Sequence, residues 1–356
     1  MNILYDIILE EIKKNGVLPF ARFMELALYH PGHGYYEREK TPGRDGDFYT
    51  SVSVGNLFGE LLAFQIAEWL ETENVPATHR WQLVEAGAHD GRLAHDILSW
   101  MREHRPKFSE RVEYIILEPS TRRRGWQEER LKDFPNVRWV ADLGDPIIQA
   151  VQGIVFSNEL LDAMPVHRFG WDAKQQKWFE WGVAVECNRF IWSRIGETTF
   201  TTHHPELDAV LPDGYVVEVS SAAKRWWREA AKILKNGRLM TIDYGLATDE
   251  LFSPSRTKGT LRAYFKHRAN DDLLANAGEQ DITAHVNFSA IQGVGEEAGL
   301  FTEFFGTQSK FLTEVLARAA KGNGFGKWDA KQTRQFQTLT HPEHLGRSFR
   351  VLVQAR

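Results

Sequence analysis

The spacing of hydrophobic and polar positions changes several times along this chain. Ile3, Leu4, Ile7, Ile8 and Ile12 recur at helical spacing in MNILYDIILEEIKKNG, which predicts an amphipathic helix docked on the surface of the fold. After about residue 80 two kinds of segment alternate. Short apolar runs at Leu83–Glu85, Tyr114–Leu117, Val137–Val140, Ile154–Phe156 and Leu239–Ile242, several ending at an acid, predict parallel strands. Helices are predicted over Gly91–Glu103, Thr121–Asp133 and Ala222–Lys235, the last closed by Asn236-Gly237. That alternation is the mark of an α/β fold built on a doubly wound parallel sheet.

Two stretches break the rhythm. The aromatic, alternating HRFGWDAKQQKWFEWGVAVECNRFIW within Val166–Arg194 predicts antiparallel strands inserted between the fourth and fifth parallel ones. A late pair, around Glu303–Leu312 and Ser348–Gln354, predicts a hairpin closing the sheet, with a long excursion between its strands. Residues 1–80, rich in Gly, His and Tyr, form a helical and lid module. Residues 81–356 form the α/β domain, with a β insertion at about 166–215 and a further insertion at about 250–300.

Composition bounds the function. The 356 residues are 42% hydrophobic and 26% charged, ample apolar material for a large core. A formal charge of -5 with signs mixed throughout offers no basic stripe to track phosphates, so the expected partner is a protein or a small molecule rather than nucleic acid. Cys187 is the only cysteine, which rules out an intrachain disulfide and suits a reducing compartment. The first residues resemble neither a signal nor a transit peptide and no apolar run reaches membrane-spanning length, so a cytoplasmic protein is expected.

The stretch LVEAGAHDGRLAHDIL carries the first chemistry. A dinucleotide fingerprint needs glycine where His89 and Arg92 stand, because backbone must approach a pyrophosphate there. What remains is an acid at a strand end, Glu85, and two glycines, Gly87 and Gly91. A second acid, Glu118 in YIILEPS, ends the next strand where a carboxylate accepts from ribose hydroxyls. A third, Asp142 in VRWVADL, ends the third strand within reach of an adenine amino group. Ribose, adenine and an amino acid end without phosphate describe S-adenosylmethionine. Helix capping is the competing role for each acid. His89 belongs to a residue type that tolerates positive φ, so the geometry of a glycine can persist at that position.

The second site lies in GIVFSNELLDAMPVHRF. Asn158, Glu159 and Asp162 follow the fourth strand, and one helical turn would set the two carboxylates on one side, where they could hold a guanidinium. Asp243, Tyr244 and Gly245 end the fifth strand and could line the same cleft or form a tight turn. Tyr36, Asp47, Phe48, Thr50 and Ser51 suit a lid on flexible loops that closes over a cofactor. The pairs His30 with His33, His203 with His204 and His341 with His344 each lack a third ligand, so no metal is expected.

In order and across nearly the whole chain, FMELALYHPGHGYY, GDFYTSVSVGNLFGE, LVEAGAHDGRLAHDIL, LEPS, NELLDAMPV, IDYG, DITAHVNF and TQSKFL resemble the MidA-like family of class I S-adenosylmethionine-dependent methyltransferases. That resemblance implies a seven-stranded, Rossmann-like sheet with an N-terminal lid, cofactor contacts near Gly87, Gly91 and Glu118, and a substrate side at Asn158, Glu159 and Asp162. The family includes a mitochondrial complex I assembly methyltransferase that acts on an arginine, which implies a protein substrate, a respiratory complex subunit among the candidates. The chain departs from the family pattern in its glycine loop, at Thr50–Ser53 and at Asn287. The expected activity is methyl transfer from S-adenosylmethionine to a protein, arginine favoured. The alternatives are O- or N-methylation of a small molecule, and an assembly or scaffolding factor that binds S-adenosylmethionine with little turnover. A homodimer is one option for the oligomeric state.

Overall fold

Seven strands run side by side in the central sheet of the computed structural model, which describes residues 3–37, 50–72, 78–202, 205–253, 256–266, 268–321, 325–326 and 328–356, and an eighth, short strand, Val286–Asn287, pairs in parallel with Gly245 and Leu246. In chain order the seven are β1 (Trp81–Ala86), β2 (Val112–Leu117), β3 (Val137–Val140), β4 (Val151–Asn158), β5 (Leu234–Leu246), β6 (Phe301–Thr307) and β7 (Phe349–Ala355). Their order across the sheet is β6-β7-β5-β4-β1-β2-β3, with β1 to β5 parallel and β7 antiparallel to both neighbours. Nearly every residue of β1, β2 and β4 is buried, which explains why these strands read as continuous apolar runs rather than alternating ones.

The chain sorts into two units. The sheet unit comprises Thr41–Leu160, Trp226–Tyr244 and Ile291–Arg356; the other comprises Met1–Lys40, Leu161–Arg225 and Gly245–Ala290. The boundary expected at residue 80 thus falls inside the sheet unit. The reason lies in the helix Leu57–Glu71, whose Leu57, Phe58, Leu61, Leu62 and Ile66 are fully buried in the same core as Leu83, Phe156 and Phe349.

In the other unit, Leu4, Ile8 and Ile12 of the helix Ile3–Asn15 are buried with Phe20, Phe23 and Ile282, while Ile3 is exposed. Each such side chain contributes about 1.5–3 kcal/mol by leaving water. The antiparallel insertion is present: Leu18–Pro19, Lys177–Glu186, His167–Asp172 and Val216–Val219 pair in that order, and Arg189–Glu197 pairs with Lys177–Glu186. Cys187 and Asn188 make the two-residue turn of that hairpin, both with positive φ, which matches the twist of the strands. A smaller sheet joins Arg262–Phe265 to Arg268–Asn270 and Asp281–Thr283.

Three local expectations are corrected. The helix Ser221–Ile233 does not end at Asn236-Gly237; β5 starts at Leu234 and takes those two residues in, with an irregular register beside β4. Gly237 is required there because a Cβ would lie 1.9 Å from the carbonyl oxygen of Gly153. The strand β6 stops at Thr307, and Gln308–Lys321 is a helix. Glu159 and Asp162 do not share a helical turn, because Glu159 has φ 53° and donates its N–H to the Ile242 carbonyl of β5.

Candidate active site

The strand order reverses between β1 and β4, the point where an open α/β sheet receives its ligand beyond the carboxyl ends. The turn leaving β1 is left-handed at three places: Gly87, His89 and Gly91 have φ 76°, 47° and 81°. His89 therefore adopts the backbone that a glycine would supply. A Cβ on Gly87 would stand 3.0 Å from Leu160 Cδ1, and one on Gly91 3.4 Å from Gln127 Cα. Burial holds the His89 imidazole below the usual histidine range, so the ring is neutral at pH 7; its buried Nδ1 has no hydrogen-bond partner among the described residues.

The three strand-end acids meet different fates. Glu85 is buried, accepts the Tyr114 hydroxyl at 2.6 Å on Oε2, and is pushed up to about 7 by burial against the opposing pull of that bond. It belongs to the interior of the sheet. Glu118, also buried, ends β2. Its Oε1 accepts from the Ser120 N–H at 2.9 Å and from the Arg123 guanidinium at 2.9–3.0 Å, and its Oε2 accepts from Gln127 Nε2 at 3.1 Å. Asp142 is exposed, and its Oδ1 accepts the Gly144 N–H at 2.7 Å.

Beyond β4 lies a second network. Glu159 Oε1 accepts from Asn158 Nδ2 at 3.0 Å and from the Ser51 N–H at 3.3 Å. Ser51 is fully buried and donates its hydroxyl to Gln308 Oε1, and Gln308 Nε2 donates to the Leu339 carbonyl. Thr50 caps the short helix Ser51–Val54, exchanging hydrogen bonds with Ser53. Thr50 and Ser51 are thus built into the helical layer rather than a flexible loop. Asp243, fully buried, accepts the Leu160 N–H at 3.1 Å; β5 continues through Tyr244 and Gly245 to Leu246 rather than ending there in a tight turn. Asn158 Oδ1 is a buried acceptor with no partner among the described residues.

Two expected site residues belong to the other unit. Tyr36 donates its hydroxyl to the buried Asp281 carboxylate at 3.0–3.1 Å, and burial followed by that negative charge raises its hydroxyl well above the ordinary range. Asp162 is buried, and its carbonyl accepts the Ala284 N–H at 2.9 Å. Asp47 and the His203-His204 pair lie outside the described residues. Among the described residues no cluster of three His, Cys, Asp or Glu could hold a metal.

These groups suit S-adenosylmethionine. Glu118 Oε2 carries one hydrogen bond and keeps a second acceptor direction for a ribose hydroxyl, and the unpartnered Asn158 Oδ1 is an acceptor for an N–H such as an ammonium. Gly87 presents bare backbone at the end of β1, the strand that lies between β2 and β4 in the sheet, whereas the His89 side chain stands where a pyrophosphate needs glycine. Sequence reasoning missed Ser51 and Gln308 as supports of Glu159, and Gln127 as a partner of Glu118.

Relatives carry the same chemistry. A crystal structure from Burkholderia thailandensis, described as that of a "likely methyl transferase" bound to S-adenosyl-homocysteine, is 30% identical, with a TM-score of 0.82 over 99% of this chain and 92% of that one. The Drosophila melanogaster protein arginine methyltransferase NDUFAF7 homolog, mitochondrial, is 24% identical over 96% of this chain and 82% of its own length. The Homo sapiens protein arginine methyltransferase NDUFAF7, mitochondrial, is 27% identical over 80% of this chain and 67% of its own. A family model described as an S-adenosyl-L-methionine-dependent methyltransferase matches residues 61–306, from the helix Leu57–Glu71 through the glycine turn, Glu118 and Asn158 into β6. Strand order, the left-handed turn and that match agree: the chain belongs to the S-adenosyl-L-methionine-dependent methyltransferases of this MidA-like family, and it is an enzyme of that class.

Proposed function

We propose that this methyltransferase acts on a protein, with the guanidinium of an arginine as acceptor and Glu159 as the carboxylate that receives it. The relatives named as protein arginine methyltransferases support the acceptor class. The observation that carries the reading is the anchoring of Glu159: Oε1 takes N–H donors from Asn158 and Ser51, and the backbone is pinned to β5 at Ile242. A carboxylate held by two donors is stabilised in its ionised form.

When bound, S-adenosylmethionine supplies an electrophilic methyl group on a sulfonium. Glu159 engages one guanidinium nitrogen through a charge-assisted hydrogen bond, drawing the positive charge toward that nitrogen and leaving another free to act as nucleophile. Its carboxylate also offers an acceptor for the proton that the guanidinium gives up. Asn158 holds Glu159 with its Nδ2, and its Oδ1 would accept an N–H of the cofactor. Glu118 would hold the ribose. The single Cys187, exposed at a hairpin tip, supports a reducing compartment such as the cytoplasm; the curated relatives are named as mitochondrial.

The test is transfer of labelled methyl from S-adenosylmethionine into lysate of a strain lacking the protein, followed by acid hydrolysis of the labelled fraction. Label recovered as methylarginine from one polypeptide is the expected result. Label confined to small molecules would overturn the protein acceptor, and label on lysine would overturn the guanidinium.

A further inference from the structure

Gln127 sits on the inward face of the helix Thr121–Arg130 and is fully buried. Its side chain makes three hydrogen bonds to three separate elements. Nε2 donates to the carbonyl of His89 at 2.9 Å and to Glu118 Oε2 at 3.1 Å, while Oε1 accepts the indole N–H of Trp139, on β3, at 2.9 Å. The amide orientation is fixed by chemistry: a carbonyl and a carboxylate can only accept, and an indole can only donate. The backbone of Gln127 also packs on Gly91, where a Cβ would approach its Cα to 3.4 Å.

We infer that Gln127 is a positioning residue for the cofactor, clamping the left-handed turn at His89 and the ribose-facing carboxylate of Glu118 into one rigid arrangement. Only glutamine provides two N–H donors and one acceptor in a single plane at this reach. Asparagine is a methylene too short, glutamate sets a second negative charge against Glu118, and methionine fills the space with no hydrogen bonds. Arg123 holds the other oxygen of Glu118, so without Gln127 the carboxylate can swing about that contact and lose its aim at the ribose. Buried and fully satisfied, the clamp is stiff; with one member gone, the remaining polar groups lose their partners.

The inference rests on the assignment of Glu118 to the ribose, and the experiment separates the two. Affinities of S-adenosylhomocysteine and of its 2′-deoxy analogue are measured by calorimetry for the parent chain, Gln127→Met and Trp139→Phe, with thermal melts recorded for each. The parent should prefer the hydroxylated ligand by about tenfold or more, the worth of a charge-assisted bond. Gln127→Met should cut that preference to about threefold or less, and Trp139→Phe, which leaves the amide in place without its anchor, should give an intermediate value. A parent that binds both ligands equally overturns the ribose assignment. A parent that discriminates while both variants discriminate just as well overturns the role of Gln127. Should Gln127→Met fail to fold, Trp139→Phe decides: an undiminished preference in that variant counts against the clamp. Gln127→Glu adds a readout that simple packing would not move. Protonation of the introduced carboxyl restores one donor and removes its charge, so ligand affinity should recover as the pH falls, whereas the parent shows no such recovery.

Discussion

Tyr114 donates its hydroxyl to Oε2 of Glu85 at 2.6 Å across the adjacent strands β2 and β1, and both side chains are buried. A strand-end acid that sequence reasoning set beside the cofactor is therefore satisfied within the sheet. Its role in holding the two strands has a consequence for pH.

Burial raises the Glu85 carboxyl from 4.5 to about 7. Between those values the folded chain keeps a proton that the unfolded chain has released. The resulting stability is fully present below the lower value and is lost as the pH rises through the upper one. Glu85→Gln retains an acceptor for Tyr114 and removes the titration. Its stability relative to the parent should improve across that window by on the order of 1–3 kcal/mol and level off above about pH 8. Thermal melts from about pH 5 to about pH 8 check this; a difference that does not change with pH would show that Glu85 does not titrate in the window.

Glu118→Ala should weaken S-adenosylmethionine and S-adenosylhomocysteine by roughly 1–3 kcal/mol, since it removes an acceptor for ribose hydroxyls and releases the Arg123 guanidinium. Titration calorimetry reads it directly. An unchanged affinity would leave Glu118 as a structural brace for Ser120, Arg123 and Gln127.

Glu159→Gln should abolish methyl transfer while cofactor affinity stays within a few-fold, because the lost charge serves the acceptor. The carbonyl oxygen of the introduced amide can still take the Ser51 N–H, so the fold should survive. Turnover with labelled S-adenosylmethionine, measured beside S-adenosylhomocysteine binding, distinguishes the outcomes. Full activity would remove the guanidinium mechanism, and loss of ligand binding would move Glu159 to the cofactor.

Gly87→Val and His89→Gly should behave in opposite ways. At φ 76°, with Leu160 Cδ1 3.0 Å from a Cβ, a β-branched side chain at Gly87 is both strained and crowded, so binding and turnover should be lost. His89→Gly relieves a positive φ and keeps the carbonyl that Gln127 holds, so binding should stay within a few-fold and most activity should remain. A glycine variant that binds S-adenosylhomocysteine normally yet transfers no methyl group would make the imidazole catalytic.

The sequence by itself determined the parallel strands, because a strand buried on both faces must be apolar throughout, and the turn at Gly87 to Gly91, because left-handed backbone selects glycine and tolerates histidine. It also marked Glu85 and Glu118 as acids at strand ends, and the alternating aromatic run as an antiparallel insertion. It could not rank the acids. Glu85, Glu118 and Asp142 occupy equivalent places in the pattern, and only packing decides that the first meets Tyr114, the second Arg123 and Gln127, and the third the N–H of Gly144 on an exposed turn. The helical turn expected from Glu159 to Asp162 failed because an N–H bond to Ile242, far along the chain, set the backbone at Glu159. The link from Gln308 through Ser51 to Glu159, and that from Gln127 to Glu118, stayed hidden for the same reason: an amide or a hydroxyl has no local signature when its partners lie on other elements. The tertiary fold chose those partners, since a buried polar group must find its hydrogen bonds wherever packing brings a complementary one.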